Sequence, residues 1–261
     1  MSSTTQFRPP AIFAKLGRCI YAAAIIALGV ENVVCASTIS HTLGPRYVVI
    51  SVLPWLPAIP WLGYLFGLVL ILSALGLLVP RTAKNAAIVL GTLLFASTII
   101  LEVPKNVAKI GDIGLRTLVF EPLSLACIAW LLPGPAAIPS WLERASRLLL
   151  GISMAVFGID HFLALAFIAS LIPHWIPFHV FWVAFFGAAF IAAGISIALN
   201  LLSRWATALL GLMFGIWVVT LHLPRVLGFY GIPGAPRSPD EWSSLFIAVA
   251  LWGGLWALSR L

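Results

Sequence analysis

Runs of apolar residues bounded by charge or by Pro and Gly recur along the whole chain. They fall near 19–37, 61–79, 86–103, 118–133, 148–171, 180–201, 206–223 and 243–259. Each approaches the ~20 residues that cross about 30 Å of hydrocarbon at 1.5 Å per residue. The runs are continuous, without the strict apolar–polar alternation of barrel strands, so they predict about eight membrane-spanning helices. Residues 1–14 read as an N-terminal tail. The first run has the basic lead (Lys15, Arg18) and apolar centre of a secretory signal. Glu31 interrupts it and no A-x-A site follows, which argues for a retained helix.

Composition strengthens the lipid assignment. Hydrophobic residues make up 62% of the 261 positions and charged residues only 9%. A soluble domain carries about 25% charged residues. That excludes a soluble enzyme, a nucleic-acid-binding domain and a disordered chain; the expected surroundings are a lipid bilayer. The net charge of +7 fits the positive-inside bias of a membrane protein, and no Lys/Arg cluster is dense enough to face phosphates. Cys19, Cys35 and Cys127 form neither a CxxC pair nor a haem-attachment site, and read as structural thiols.

The chain also repeats itself. Arg18, Gly29 and Glu31 match Arg147, Gly158 and Asp160 at an offset of 129. At an offset of 120, Trp55-Leu56-Pro57 faces Trp175-Ile176-Pro177, Gly67 faces Gly187, and Gly91 faces Gly211. In the same register Leu101-Glu102-Val103-Pro104-Lys105 faces Leu221-His222-Leu223-Pro224-Arg225, and Glu121 faces Glu241. The matches fall on Trp, Gly, Pro and acidic residues, which generic lipid-facing helix does not require. The expected fold is therefore all-α, two four-helix repeats over 15–135 and 144–261. An even helix number gives both repeats the same orientation, related by an axis along the membrane normal.

Counting Lys and Arg orients the bundle. With the N-terminus inside, Arg8, Lys15, Arg18, Arg81, Lys84, Arg144, Arg147, Arg204 and Arg260 lie inward; Arg46, Lys105, Lys109, Arg116, Arg225 and Arg237 lie outward. Nine against six favours cytoplasmic termini.

Ionisable groups cost about 2.5–3.5 kcal/mol at the centre of a membrane helix, so each needs a reason. Glu31 and Asp160 fall past the midplane toward the outer side. Glu102 and His222 are expected to end the third helix of each repeat, where Pro104 and Pro224 stop or kink it. Lys105 and Arg225 follow, and Glu121 and Glu241 open the fourth helices. Seven of the eight acids gather outward; only Glu143 lies inside. The functional reading is one outward polar pocket per repeat. Glu31, Glu102, Lys105 and Glu121 would line the first; Asp160, His161, His222, Arg225 and Glu241 the second. Glu31, Asp160 and His222 are the candidates for proton handling, and the rest for binding a ligand. The plainer reading is that these groups cap helix ends and pin the bundle, which the dipole alone favours for Glu121 and Glu241.

His161 and His222 are candidates to meet and hold a haem or metal. Their counterparts Asn32 and Glu102 are poor matches, and no HExxH-type spacing is present, so polar packing is the favoured role. His41, His174 and His179 fall in outer connections. Trp55, Trp61, Trp175 and Trp182 fit an interfacial aromatic belt, or an aromatic entrance suited to a flat hydrophobic molecule such as a quinone. Small residues from Gly187 to Gly194 point to close helix packing.

The second repeat resembles the DoxX-like four-helix membrane proteins, in Gly158-Ile159-Asp160-His161-Phe162, Gly187 to Gly194, Leu221-His222-Leu223-Pro224 and Glu241. The first repeat carries the pattern less completely, with Glu102 in place of the histidine of His-Leu-Pro. The resemblance implies a tandem DoxX-like protein with a four-helix bundle per repeat. It also implies association with a quinone-linked redox, sulfur/thiol or oxidative-stress system in a bacterial inner membrane, beside a soluble or membrane redox partner. It brings no catalytic assignment, so the residues leave open whether the chain is itself an enzyme. Two readings stand beside it: a small-solute or ion transporter, and a non-catalytic membrane scaffold for a redox partner.

Overall fold

A computed structural model describes residues 9–36, 59–229 and 239–260, with Pro239 and Asp240 described by backbone alone. Trp55-Leu56-Pro57, His41, Arg46, Arg8 and Arg237 lie outside the described residues. Among the described residues every regular element is helical.

The helices are α1 (Ala11–Cys35), α2 (Pro60–Leu78), α3 (Ala83–Lys109) and α4 (Ile113–Leu131). Then follow α5 (Ser140–Leu163), the short α6 (Leu165–Leu171), α7 (His179–Ala198), α8 (Ser203–Leu227) and α9 (Pro239–Leu258). Eight of them, all but α6, are long and apolar enough to cross a membrane.

Several bounds differ from those read off the charges. α1 begins at Ala11, before Lys15 and Arg18, and α3 and α8 begin before or at Lys84 and Arg204. Long basic side chains let a helix continue past them, because their stems lie on apolar surface while their heads reach out. α4 opens at Ile113, and the Asp112 side chain accepts from the Leu115 N–H at 3.1 Å. Asp112, not Glu121, therefore satisfies the free donors of that helix start; Glu121 lies two turns inside. Glu241 does sit in the first turn of α9. The run read as one span over 148–171 is broken at Ala164, where α5 gives way to α6.

Pro104 and Pro224 do not stop their helices. Each lies just past a π-helical turn, Thr98–Glu102 in α3 and Val218–His222 in α8. The Val103 N–H bonds to the Thr98 carbonyl and the Leu223 N–H to the Val218 carbonyl. A proline cannot donate to the carbonyl four residues back, and its ring collides with it. One wide turn relieves the collision and lets α3 reach Lys109 and α8 reach Leu227. The two wide turns fall at an offset of 120.

Helix contacts follow the chain and then close on themselves. α1 packs on α2, α2 on α3, α3 on α4, α4 on α5, α5 on α7, α7 on α8 and α8 on α9; α9 returns to pack along α1, and also touches α4. The fourth helix of each half thus lies against the first helix of the other. One core cluster runs through both halves, joining Tyr21, Ile25, Leu70 and Leu125 to Leu150, Phe190 and Leu255. The Tyr21 hydroxyl, fully enclosed, donates to the Leu125 carbonyl at 2.8 Å.

Two backbone approaches set the spacing of the first two helices in each half. A Cβ at Gly29 would lie 2.8 Å from the Gly67 carbonyl oxygen, and one at Gly158 would lie 2.6 Å from that of Gly187. Neither carbonyl can yield without moving a helix. We expect Gly158→Ala and Gly29→Ala each to cost about 1–3 kcal/mol, as overpacking does. Thermal unfolding of the purified variants in one detergent checks this; an unchanged midpoint would contradict the close approach.

Candidate functional site

Because packed neighbours alternate in direction, one end of the bundle collects the C-terminal ends of α1, α3, α5 and α8 and the N-terminal ends of α2, α4, α7 and α9. The polar residues singled out by the sequence lie there. The opposite end carries simpler contacts. Arg147 donates to Glu143 at 3.1 Å, and Arg18 reaches the Leu132 carbonyl at 3.5 Å, where a cation suits the C-terminus of α4.

Asp160 stands in the last turn of α5 and is 4% exposed. A carboxylate there meets the negative end of the helix dipole and lacks water. Its partner is Arg116, from the first turn of α4, which donates to Oδ1 through a guanidinium nitrogen. By sequence alone Arg116 is one of the outward cations. Nothing local links it to Asp160; the pair exists because α4 and α5 pack with these ends together. Oδ2 of Asp160 and Nε of Arg116 are buried and have no hydrogen-bond partner among the described residues.

Glu31 holds the corresponding place one turn from the end of α1, 8% exposed. Oε1 accepts from the Ser243 hydroxyl of α9 at 2.8 Å. Both deep acids therefore face the fourth helix of the opposite half. Arg116 meets Asp160 at one seam, and Ser243 meets Glu31 at the other.

The rest separate into local pairs. Lys105 lies 3.9 Å from Glu102, beside the wide turn of α3, and Asn106 donates to the Glu102 carbonyl at 2.8 Å and to its carboxylate at 3.3 Å. Arg225 grips Glu241 with two donors: Nε to Oε2 at 3.0 Å and Nη2 to Oε1 at 2.5 Å. That fork joins the end of α8 to the start of α9, a geometry only Arg supplies. Glu121 and His222 are half-buried at the same end. The single pocket expected in each half is thus divided. Glu102–Lys105 and Arg225–Glu241 stay within their halves, whereas Glu31 and Asp160 engage the opposite one.

His161 occupies a different environment. It is 8% exposed, and its ring stacks on Trp217 (centroids 5.3 Å apart, planes 15° apart) and leans on Phe190 at 5.2 Å. No ring contact joins it to His222 among those described, and the described residues hold no group of three or more His, Cys, Asp or Glu placed to share a metal.

Among the described residues, fold and site together define an α-helical bundle of eight apolar, membrane-length helices, with Glu31, Asp160 and His161 buried at one end and Arg147 at the other. No protein-family model, curated protein or solved structure matches the chain.

Removing one partner of a buried ion pair leaves an uncompensated charge, at a cost of about 3–5 kcal/mol. We expect Asp160→Leu and Arg116→Leu each to destabilise the fold by about 3 kcal/mol, the lower bound of that range, since Arg116 keeps 16% of its side chain exposed. The double variant Arg116→Leu/Asp160→Leu should recover much of the loss. A double-mutant cycle in lipid nanodiscs measures this, and additive losses would contradict a direct pairing.

Proposed function

We propose that the chain is a multi-pass protein of the bacterial cytoplasmic membrane, with cytoplasmic termini, serving as a membrane subunit or partner of a quinone-linked redox or sulfur/thiol system. The observation that carries the reading is the gathering of Glu31, Glu102, Arg116, Asp160, His161, His222, Arg225 and Glu241 at one end of an otherwise apolar bundle. Buried charge is expensive in lipid and commonly marks proton or ligand handling. The DoxX-like pattern of the second half points the same way. Organisation as two parallel four-helix repeats is supported by the matched helix contacts, the wide turns at one offset and the paired glycine approaches.

In this reading Asp160 and Glu31 handle protons, each held at a seam by the other half. His222 and Arg225 orient a headgroup or anion, and Glu102, Lys105, Glu121, His161 and Glu241 complete the network. Glu102 and His222 each close a π-helical turn within a continuing helix, a frequent feature of working sites.

Transport of a small solute or ion is the second reading, favoured by one observation: the deep acids lie at seams between halves, where a rocking motion would act.

Mass spectrometry of small molecules retained after gentle purification tests the first reading. We expect a co-purifying quinone, and lower oxidant resistance in cells carrying Asp160→Asn or His222→Gln at normal expression. Protein without quinone, together with unaltered resistance in both variants, would overturn it; proteoliposome flux that disappears with Glu31→Gln would support transport.

A further inference from the structure

The two halves differ in how they fill the interior around one matched polar position. In the first half Leu28, Asn32, Leu70, Leu94 and Ser97 occupy positions that the offsets of 129 and 120 match to Phe157, His161, Phe190, Phe214 and Trp217. Leu28, Asn32, Leu70 and Leu94 are fully enclosed. The first half thus fills this space with aliphatic groups around an amide, and the second with four aromatic rings around an imidazole. Those rings touch in a connected set. Phe190 meets Phe157 at 6.1 Å, Phe214 at 5.5 Å and Trp217 at 5.6 Å; Phe214 meets Trp217 at 5.7 Å.

The protonation of the imidazole follows from its contacts. Nδ1 lies 2.7 Å from the Phe157 carbonyl oxygen, which can only accept, so Nδ1 carries a hydrogen. Asn32 makes the matching bond, its amide donating to the Leu28 carbonyl at 2.9 Å. In the neutral ring the lone pair then lies on Nε2. Nε2 is buried, with no hydrogen-bond partner among the described residues. The neighbouring Asp160 supplies no free charge to this box, because Arg116 neutralises it. A buried acceptor without a donor is a costly feature and needs an explanation. An uncharged planar ligand bearing a hydrogen-bond donor supplies one.

We propose that the second half holds a site for the reduced, dihydroxy form of a lipid-soluble quinone. Nε2 of His161 accepts from a ring hydroxyl, and Trp217 and Phe190 wall the ring. The site rests on the quinone-linked reading above and adds a direction to it. A hydroquinone offers O–H donors, whereas the oxidised quinone offers only carbonyl acceptors, which face a second acceptor at Nε2. Preference for the reduced form follows from that mismatch.

The test uses the full chain in lipid nanodiscs, labelled with ¹⁵N-histidine, and a decyl-tailed hydroquinone kept reduced under argon beside its oxidised quinone. The signal of the unprotonated His161 nitrogen is assigned by its loss in His161→Phe, or in His161→Gln should the first variant fail to fold. We expect hydroquinone to shift that signal and to bind about tenfold more tightly than quinone, the scale of one net hydrogen bond. In the His161 variant the preference should fall to near parity. Quinone binding that equals or exceeds hydroquinone binding, or hydroquinone binding that leaves the signal unmoved, overturns this site while the quinone-linked reading stands. Absence of binding by either form overturns both.

Discussion

A carboxylate in the last turn of a helix faces the negative end of that helix, and an apolar bundle offers it no water. Asp160 is held in that position by Arg116, and Glu31 by Ser243 at the matching place. Each remedy comes from the fourth helix of the other half. The crossing of α4 to α5 and of α9 to α1 brings each buried acid a partner, so the architecture and the buried charge support one another.

Packing makes the crossing possible. Gly29 against Gly67 and Gly158 against Gly187 bring the first two helices of each half close enough for backbone contact. The opposite side of α1 is then free to receive α9, and that of α5 to receive α4. Tyr21 adds a polar tie through the centre by donating to Leu125. The halves differ in what surrounds the matching polar residues: aromatic rings around His161, aliphatic side chains around Asn32.

Much of this was legible in the residues. Helical class and the number of membrane-length segments follow from run length and the scarcity of charge. The small residues from Gly187 to Gly194 point to close helix packing, as found at Gly158 against Gly187, whereas Pro104 and Pro224 follow a π turn in place of the stop or kink their ring suggests. Charged boundaries misled at Lys15, Lys84 and Arg204, because long basic side chains extend helices past the apolar run. Asp112, the cap of α4, is legible as an aspartate before an apolar run, a recognisable start signal. Arg116 could not have been tied to Asp160 from local pattern, since their contact depends on tertiary packing. His161 was noticed for its own sake, but its aromatic surroundings come from α7 and α8 and become visible only when the matched positions are compared in space.

The central claim is the crossing of the halves, with Glu31 of α1 against Ser243 of α9. It is tested most directly by oxidative cross-linking of Glu31→Cys with Ser243→Cys in a chain whose Cys19, Cys35 and Cys127 are serine. A protease site inserted between α4 and α5 separates the halves after the bridge has formed. The account predicts that cleaved, oxidised protein runs as one species on a denaturing gel and separates into two fragments on reduction. Two fragments before reduction, in protein that is folded and fully cleaved, would contradict it.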